Sequence, residues 1–246
     1  EWHHVALTVK ESGGNSDPYV IYVDGEVDRA ANIDWYHFDG TGHELRIGHI
    51  GINDGQFLSG MMDDVVIYQR VLTQEEIRGI MLGAAETVVG NLTLVDPDDK
   101  NFTTKFDFTE GLLAYYPLDS PDGGSDVSGN GNHATVNGAT FGPDRLGMEG
   151  KAYRFDGDDY IQTPVDSNSL PISFSVWFKP EKITGELSII DSDRGGSYGH
   201  SLIIGYFNRD GDYHVQYHDG HIDTGIQAVQ DKWLHATVTF GEKIQL

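Results

Sequence analysis

The sequence predicts an all-β sandwich, and three observations carry that prediction. Short runs alternate apolar and polar residues with the period of half-buried strands, as in ISFSVWFKP at 172–180. Asp-Gly, Asn-Gly and Gly-Gly clusters separate these runs, with 31 glycines in 246 residues, the punctuation of tight turns. A single stretch, near residues 72–82, has helical periodicity. One strand type also occurs twice: WHHVALTVK opens the chain at Trp2, and WLHATVTF returns at Trp233.

Taken in order, HVALTVK (4–10) is the first strand, and a polar loop leads to PYVIYVDGEVDRA. Asp24-Gly25 between two extended runs is a strong hairpin signal. The aromatic cluster Trp35-Tyr36-His37-Phe38 lies in a loop-like stretch, and ELRIGHI (44–50) reads as another strand. In FLSGMMDDVVIYQRVLTQEEIRGIML, Met62, Val65 and Ile67 point one way from a strand ending near Gln69. Thr73-x-x-Glu76 is a capping box, and Leu72, Ile77 and Ile80 share one face of a short helix with Gly83 as its C-cap.

Residues 84–109 change character, with the acidic break Asp96-Pro97-Asp98-Asp99-Lys100 between two short extended pieces. This stretch reads as a linker carrying two Asn-x-Thr glycosylation sequons, at Asn91 and Asn101. Beyond it, GLLAYYPLDS is followed by the tight loop SGNGN (128–132). AYRF and YIQT flank a further turn at Asp156-Gly157. In 172–180, Ile172, Phe174, Val176 and Phe178 share a face, and more strands follow at 187–190, 200–207 and 212–218 before Trp233.

Composition excludes several classes of function. With 39 Asp+Glu against 16 Lys+Arg and a net charge of −23, the surface repels phosphate backbones and anionic membranes, so no nucleic-acid partner is expected. No window approaches a membrane span, so no membrane insertion is expected. The absence of cysteine removes disulfides and thiolate zinc sites. The carboxylates suit hard cations such as calcium. The chain begins within a strand pattern at Glu1-Trp2, with neither Met nor a signal peptide, so a natural start elsewhere is expected.

The pieces Gly111–Asp119, Asp126–Asn132, Ala152–Ile161, Phe174–Pro180 and Trp233–Thr237 resemble the opening of the laminin-G-like, concanavalin A-like jelly-roll family in its tandem bacterial and archaeal form. Trp2–Ala6, Ile21–Gly25, Leu45–Gly48 and Phe57–Ile77 resemble its closing part. The resemblance implies a jelly-roll β-sandwich, with Ala152–Ile161 as a hairpin. Closing elements precede opening ones, so the expected organisation has three parts. Residues 1–83 form the C-terminal part of one module, 84–109 the linker, and 110–246 the N-terminal part of the next.

Residues 1–82 alone would leave Val5, Leu7, Val9, Ile21, Val23, Val65 and Ile67 in water, at a cost of about 10 kcal/mol. A longer polypeptide supplying the missing halves is the favoured remedy, and exchange between identical subunits comes second. The third is a fold-back of 1–82 onto 110–246, which leaves one redundant Trp-x-His strand.

In related jelly rolls a rim calcium site joins an early loop to an Asp before the last strand. The resemblance places Asp126, Asn130 and Asn132 on the loop, and Asp63 or Asp64 as the Asp. Asx-turn and capping chemistry accounts for the same residues without a metal. His214 and His218 share a strand side, where an imidazole-bound metal competes with simple solvated polarity. Trp35, Tyr36, Tyr198 and Tyr206 are candidate sugar contacts, although aromatics also fill jelly-roll cores.

The facing carboxylate pair of a glycosidase is missing from any strand, as are Gly-x-Ser-x-Gly and phosphate-binding loops, so no enzyme is expected. The expected function is a non-catalytic, extracellular, cell-surface adhesion or scaffold segment of a repetitive protein or filament. Its partners would be neighbouring modules of the same polypeptide or of identical subunits, and glycans. The alternative is a carbohydrate-binding accessory module of a secreted glycan-degrading enzyme.

Overall fold

Alternation along Ile172–Pro180 has the outcome that the pattern dictates: Ile172, Phe174, Val176 and Phe178 all enter one buried core. The computed structural model describes residues 4–10, 17–23, 26–33, 44–49, 56–81, 91–95, 103–120, 123–166, 171–192, 201–206, 212–217 and 222–241.

The strands of the first segment are β1 (His4–Lys10), β2 (Asp17–Val23), β3 (Glu26–Ile33), β4 (Glu44–Ile47) and β5 (Ser59–Tyr68), followed by helix α1 (Gln74–Met81). The linker region holds a separate antiparallel pair, β6 (Asn91–Val95) and β7 (Thr103–Asp107). Then come β8 (Leu112–Tyr116), β9 (Thr135–Asn137), β10 (Thr140–Gly142), β11 (Ala152–Asp156) and β12 (Tyr160–Asp166). The last six are β13 (Ile172–Pro180), β14 (Leu187–Asp191), β15 (Ser201–Tyr206), β16 (Tyr213–Tyr217), β17 (Ile222–Gln227) and β18 (Leu234–Gly241).

Both segments contribute to the same two sheets. The larger runs β10-β11-β5-β13-β18-β1-β2-β3, with β8 also on β5; the smaller runs β17-β16-β15-β14-β4-β12-β9. Thus β5 and β4, from the first segment, lie between strands of the second. Met62, Val65 and Ile67 of β5 join Phe174, Phe178, Ile161 and Ile190 in a single core between the sheets, the packing of a β-sandwich. The fold-back arrangement is therefore the one this chain adopts, and among the described residues Ile21, Met62, Val65 and Ile67 are covered from within it.

The redundant strand is accommodated by a parallel pair. β1 and β18 run side by side with His4 opposite His235 and Ala6 opposite Thr237, whereas every other ladder among the described strands is antiparallel. An antiparallel sheet would need only one strand between β13 and β2, and here the two copies of the same motif share that place. His235 is fully buried and its Nε2 lies 2.7 Å from Ser175 Oγ, while its ring packs 4.7 Å from Trp177. The Trp-x-His motif thus fastens β18 to β13. Trp233 is half-buried, with Lys179 Nζ 5.7 Å above its ring, so it lies at the margin of the core.

Helix α1 forms as its capping box dictates: Thr73 N donates to Glu76 Oε2 at 2.9 Å and Glu76 N to Thr73 Oγ1 at 3.2 Å. Ile77, Ile80 and Leu72 pack with Val66, Tyr68, Val20 and Tyr22 on the outer face of the larger sheet. The proposed C-cap Gly83 lies outside the described residues.

One local expectation fails. β11 and β12, either side of Asp156-Gly157, are not a hairpin: β11 pairs with β5 and β10, and β12 with β4 and β9. The turn is a corner at which the chain changes sheet. Gly157 takes a φ of +112° there, which an L side chain rarely adopts, and Asp159 Oδ2 accepts from Asp156 N at 2.9 Å.

Candidate functional site

The central strand β5 is interrupted on one edge. Ser59–Met62 pair with β11 and Val65–Tyr68 pair with β8, so Asp63 and Asp64 lie in the gap between the two partners. On the other edge the register with β13 shifts across the same residues, Val66 facing Ser175 and Asp63 facing Trp177. Two residues of β5 oppose one of β13, which is a β-bulge. Asp64 adopts a φ of +48°, a left-handed conformation that Asp tolerates better than most residues.

Successive strand residues ordinarily point to opposite faces. The bulge cancels that rule here and brings both carboxylates onto one cation. Arg145 Nη1 donates to Asp63 Oδ2 and to Asp64 Oδ2, each at 2.7 Å. Tyr115 Oη donates to Asp64 Oδ1 at 2.6 Å. The Arg145 guanidinium also stacks 5.0 Å from the Trp177 ring centroid, a cation–π contact. Both aspartates are buried, at 3% and 5% exposure.

Beside them opens a cavity of about 410 Å³, lined by Asp63, Asp64, Tyr115, Asp119, Asp144 and Lys151 together with the apolar Pro117, Val127 and Met148. Lys151 Nζ pairs with Asp119 Oδ2 at 2.9 Å. Burial, and then the neighbouring Asp64 charge, push the Asp63 carboxyl up to about 8, against the opposing pull of Arg145. Its folded-state value lies above the ordinary 3.8. This carboxyl therefore weighs increasingly against the folded state as pH rises from about 4 towards 8.

The residues expected on the loop make hydrogen bonds to the backbone. Asp126 Oδ1 accepts from Tyr115 N at 3.0 Å and Ser128 N at 2.9 Å, and Oδ2 accepts from Asn132 N at 2.9 Å. Burial pushes its carboxyl up, but the hydrogen bonds from Ser128, Tyr115 and Asn132 outweigh this and hold it below 3.8. Asn130 Nδ2 donates to Leu112 O at 2.7 Å, and Asn132 Nδ2 to Leu113 O at 2.8 Å. These three residues staple the loop to β8, which is the turn chemistry considered above. The five expected ligands therefore divide into a loop staple and a carboxylate pair, joined through Tyr115, whose backbone serves one and whose hydroxyl serves the other.

Trp35, Tyr36, Tyr198, Asn101 and His218 lie outside the described residues. Asn91 begins β6 and Tyr206 ends β15. His214 Nδ1 lies 3.0 Å from Asp223 Oδ1 on the adjoining strand. Among the described residues, Asp156, Asp158 and Asp159 also bring three carboxylates within 4.8 Å of one another, at the β11–β12 corner.

Family comparison agrees with this architecture. Residues 1–78 and 155–245 match the model described as the concanavalin A-like lectin/glucanases superfamily, in its laminin-G-like form. The chain belongs to this superfamily. Neither curated proteins nor solved structures gave a match. Among the described residues no helix is long and apolar enough to cross a membrane.

Within this laminin-G-like sandwich, sequence reasoning missed Tyr115, Asp119, Asp144, Arg145, Lys151 and Trp177. Asp119 closes the YYPLD run, and Asp144-Arg145 sits between glycines in GPDRLG. An Asp next to an Arg in a Gly-bounded loop was the available signal. Its partners on β5 are more than 80 residues away.

Proposed function

We propose that this chain is a non-catalytic extracellular adhesion or scaffold segment, built from laminin-G-like sandwiches that pack against neighbouring modules or identical subunits, and stiffened by calcium at Asp63 and Asp64. The observation that carries the reading is the convergence of two buried carboxylates on one cationic nitrogen at a break in the central strand. That arrangement joins β5 to the loop bearing Arg145 and ties together pieces that are remote in sequence.

The chemistry of the acidic side chains supports this reading. Two hard carboxylate oxygens already hold a positive nitrogen at 2.7 Å, and Asp119 and Asp144 add carboxylates around the cavity. Asp126, Asn130 and Asn132 would act by holding β8, and with it Tyr115, in place. Calcium, when bound, would supply a double positive charge satisfied by irregular oxygen coordination. The parallel β1–β18 pair supports the repetitive reading, because two copies of one strand type in one sheet are what a tandem of like modules provides.

Titrating calcium into chelator-treated protein tests this. At a hundredfold excess over the dissociation constant, the metal should stabilise the fold by about 2.7 kcal/mol. That is a rise in melting temperature of about 5–10 °C for a chain of this size, and Asp64→Asn should abolish it. An unchanged melting temperature at millimolar calcium would remove the metal from the account. The alternative, a carbohydrate-binding accessory module, draws on the lectin members of the superfamily and on the open cavity. Glycan-array binding that survives calcium removal and Asp64→Asn would favour it.

A further inference from the structure

We propose that β1 is a stand-in for β18, closing the larger sheet against β13 when β18 withdraws, so that the sandwich can release β18 without opening its core. Calcium plays no part in this. β13 is paired by β18, and β2 by β1, so one strand between β13 and β2 would meet both needs. The chain supplies two, and their parallel ladder sets copy against copy, with His4 opposite His235 and Thr8 opposite Thr239. The family match has the same redundancy, because 155–245 and 1–78 each include one Trp-x-His strand. Since β1 and β18 run the same way, β1 already has the antiparallel sense that β13 requires. A displacement by one strand spacing, roughly 4.8 Å, would bring each residue of β1 to the position of its copy.

The two strands also agree in phase and in kind. On β18, Leu234, Ala236 and Val238 enter the core, and the alternate residues His235, Thr237 and Thr239 are buried on the other face. Ala6 packs with helix α1 on that outer face, and its partner in the ladder is Thr237. The sequence has Val5, Leu7 and Val9 where β18 has Ala236, Val238 and Phe240, so β1 brings apolar residues to the same positions. Three side-chain contacts fasten β18 to β13. His235 Nε2 lies 2.7 Å from Ser175 Oγ, Thr237 Oγ1 donates to Ser175 Oγ at 3.1 Å, and Ser173 Oγ donates to Thr239 Oγ1 at 2.9 Å. β1 repeats His235 as His4 and Thr239 as Thr8, but has Ala6 in place of Thr237. The Thr237 hydroxyl is thus the anchor that β1 lacks, and it favours β18 beside β13.

The test is disulfide trapping in the full chain, which has no cysteine of its own. Val5 and Val176 both lie opposite Ala236, one on each side. Their Cα atoms are therefore two strand spacings apart, roughly 10 Å, whereas a disulfide spans roughly 4.4–6.8 Å. With β1 in the place of β18 the two would face each other directly. Under mild oxidation in native buffer, the chain with Val5→Cys and Val176→Cys should crosslink slowly. Adding Thr237→Ala should raise the rate at least about threefold. Adding Thr237→Pro, which interrupts the β18 ladder, should leave a folded chain that crosslinks at least about tenfold faster. Ile67→Ala, which leaves the anchors of β18 in place, should not change the rate. A Thr237→Pro chain that folds without crosslinking would overturn the exchange. If that chain does not fold, Thr237→Ala decides, and a rate no higher than with Thr237 overturns it. An equal rise with Ile67→Ala would mean crosslinking through global unfolding, and would overturn it as well.

Discussion

Replacing Asp126 by alanine should destabilise the fold by about 3–5 kcal/mol, because three backbone amides lose one charged acceptor together. Hydrogen bonds to a charged group contribute roughly 1.5–3 kcal/mol each, and neighbouring ones do not add fully. The amides belong to Tyr115, Ser128 and Asn132, so the loop and strand β8 should loosen together. The effect has a definite pH dependence. The Asp126 carboxyl is held below 3.8 in the folded state, so its contribution is complete above that value and is lost as pH falls below it. The difference between the unaltered chain and Asp126→Ala, measured by urea unfolding, should therefore narrow below about pH 4. A loss under 1 kcal/mol at pH 7 would contradict the staple.

Ile67→Ala should cost about 3 kcal/mol, the usual range for deleting a fully buried aliphatic side chain being 2–5 kcal/mol. Ile67 is 0% exposed and lies opposite Phe174 on one side and Ala114 on the other, both from the second segment. The loss should consequently reach the whole sandwich. Tryptophan fluorescence, to which Trp2 and Trp35 of the first segment and Trp177 and Trp233 of the second all contribute, should show the same lowered midpoint as far-ultraviolet circular dichroism. Two separated transitions, with only one shifted by Ile67→Ala, would mean that the segments fold independently.

The sequence revealed whatever is governed by nearest neighbours. Periodicity alone placed Ile172, Phe174, Val176 and Phe178 on the core face, and Thr73 and Glu76 announced the helix start. The Asp156-Gly157 corner was misread because turn chemistry fixes a reversal locally, while the choice of sheet depends on what β11 and β12 find to pair with. β5 and β4 supply those partners from residues about 100 positions earlier.

The candidate site was half legible. Asp63 and Asp64 were singled out through the family resemblance, as the Asp before the last strand. What the partner would be was hidden. Arg145 arrives from a loop with no periodicity, and the seat exists only because β8 and β11 leave β5 unpaired at two residues. Pairing of that kind is non-local, so no window of sequence contains it. The loop Asp126–Asn132 was legible as a tight turn, but the division between its staple role and the carboxylate pair required the position of Tyr115.

Everything proposed for Asp63, Asp64 and Arg145 depends on residues 1–82 and 110–246 of one chain completing one sandwich. The native mass of the folded chain at low micromolar concentration tests this most directly. The fold-back arrangement predicts a cooperative, folded monomer of 27.2 kDa, whose melting temperature does not change on dilution. Folded material found only at twice that mass or above, or a chain that unfolds when diluted, would contradict it.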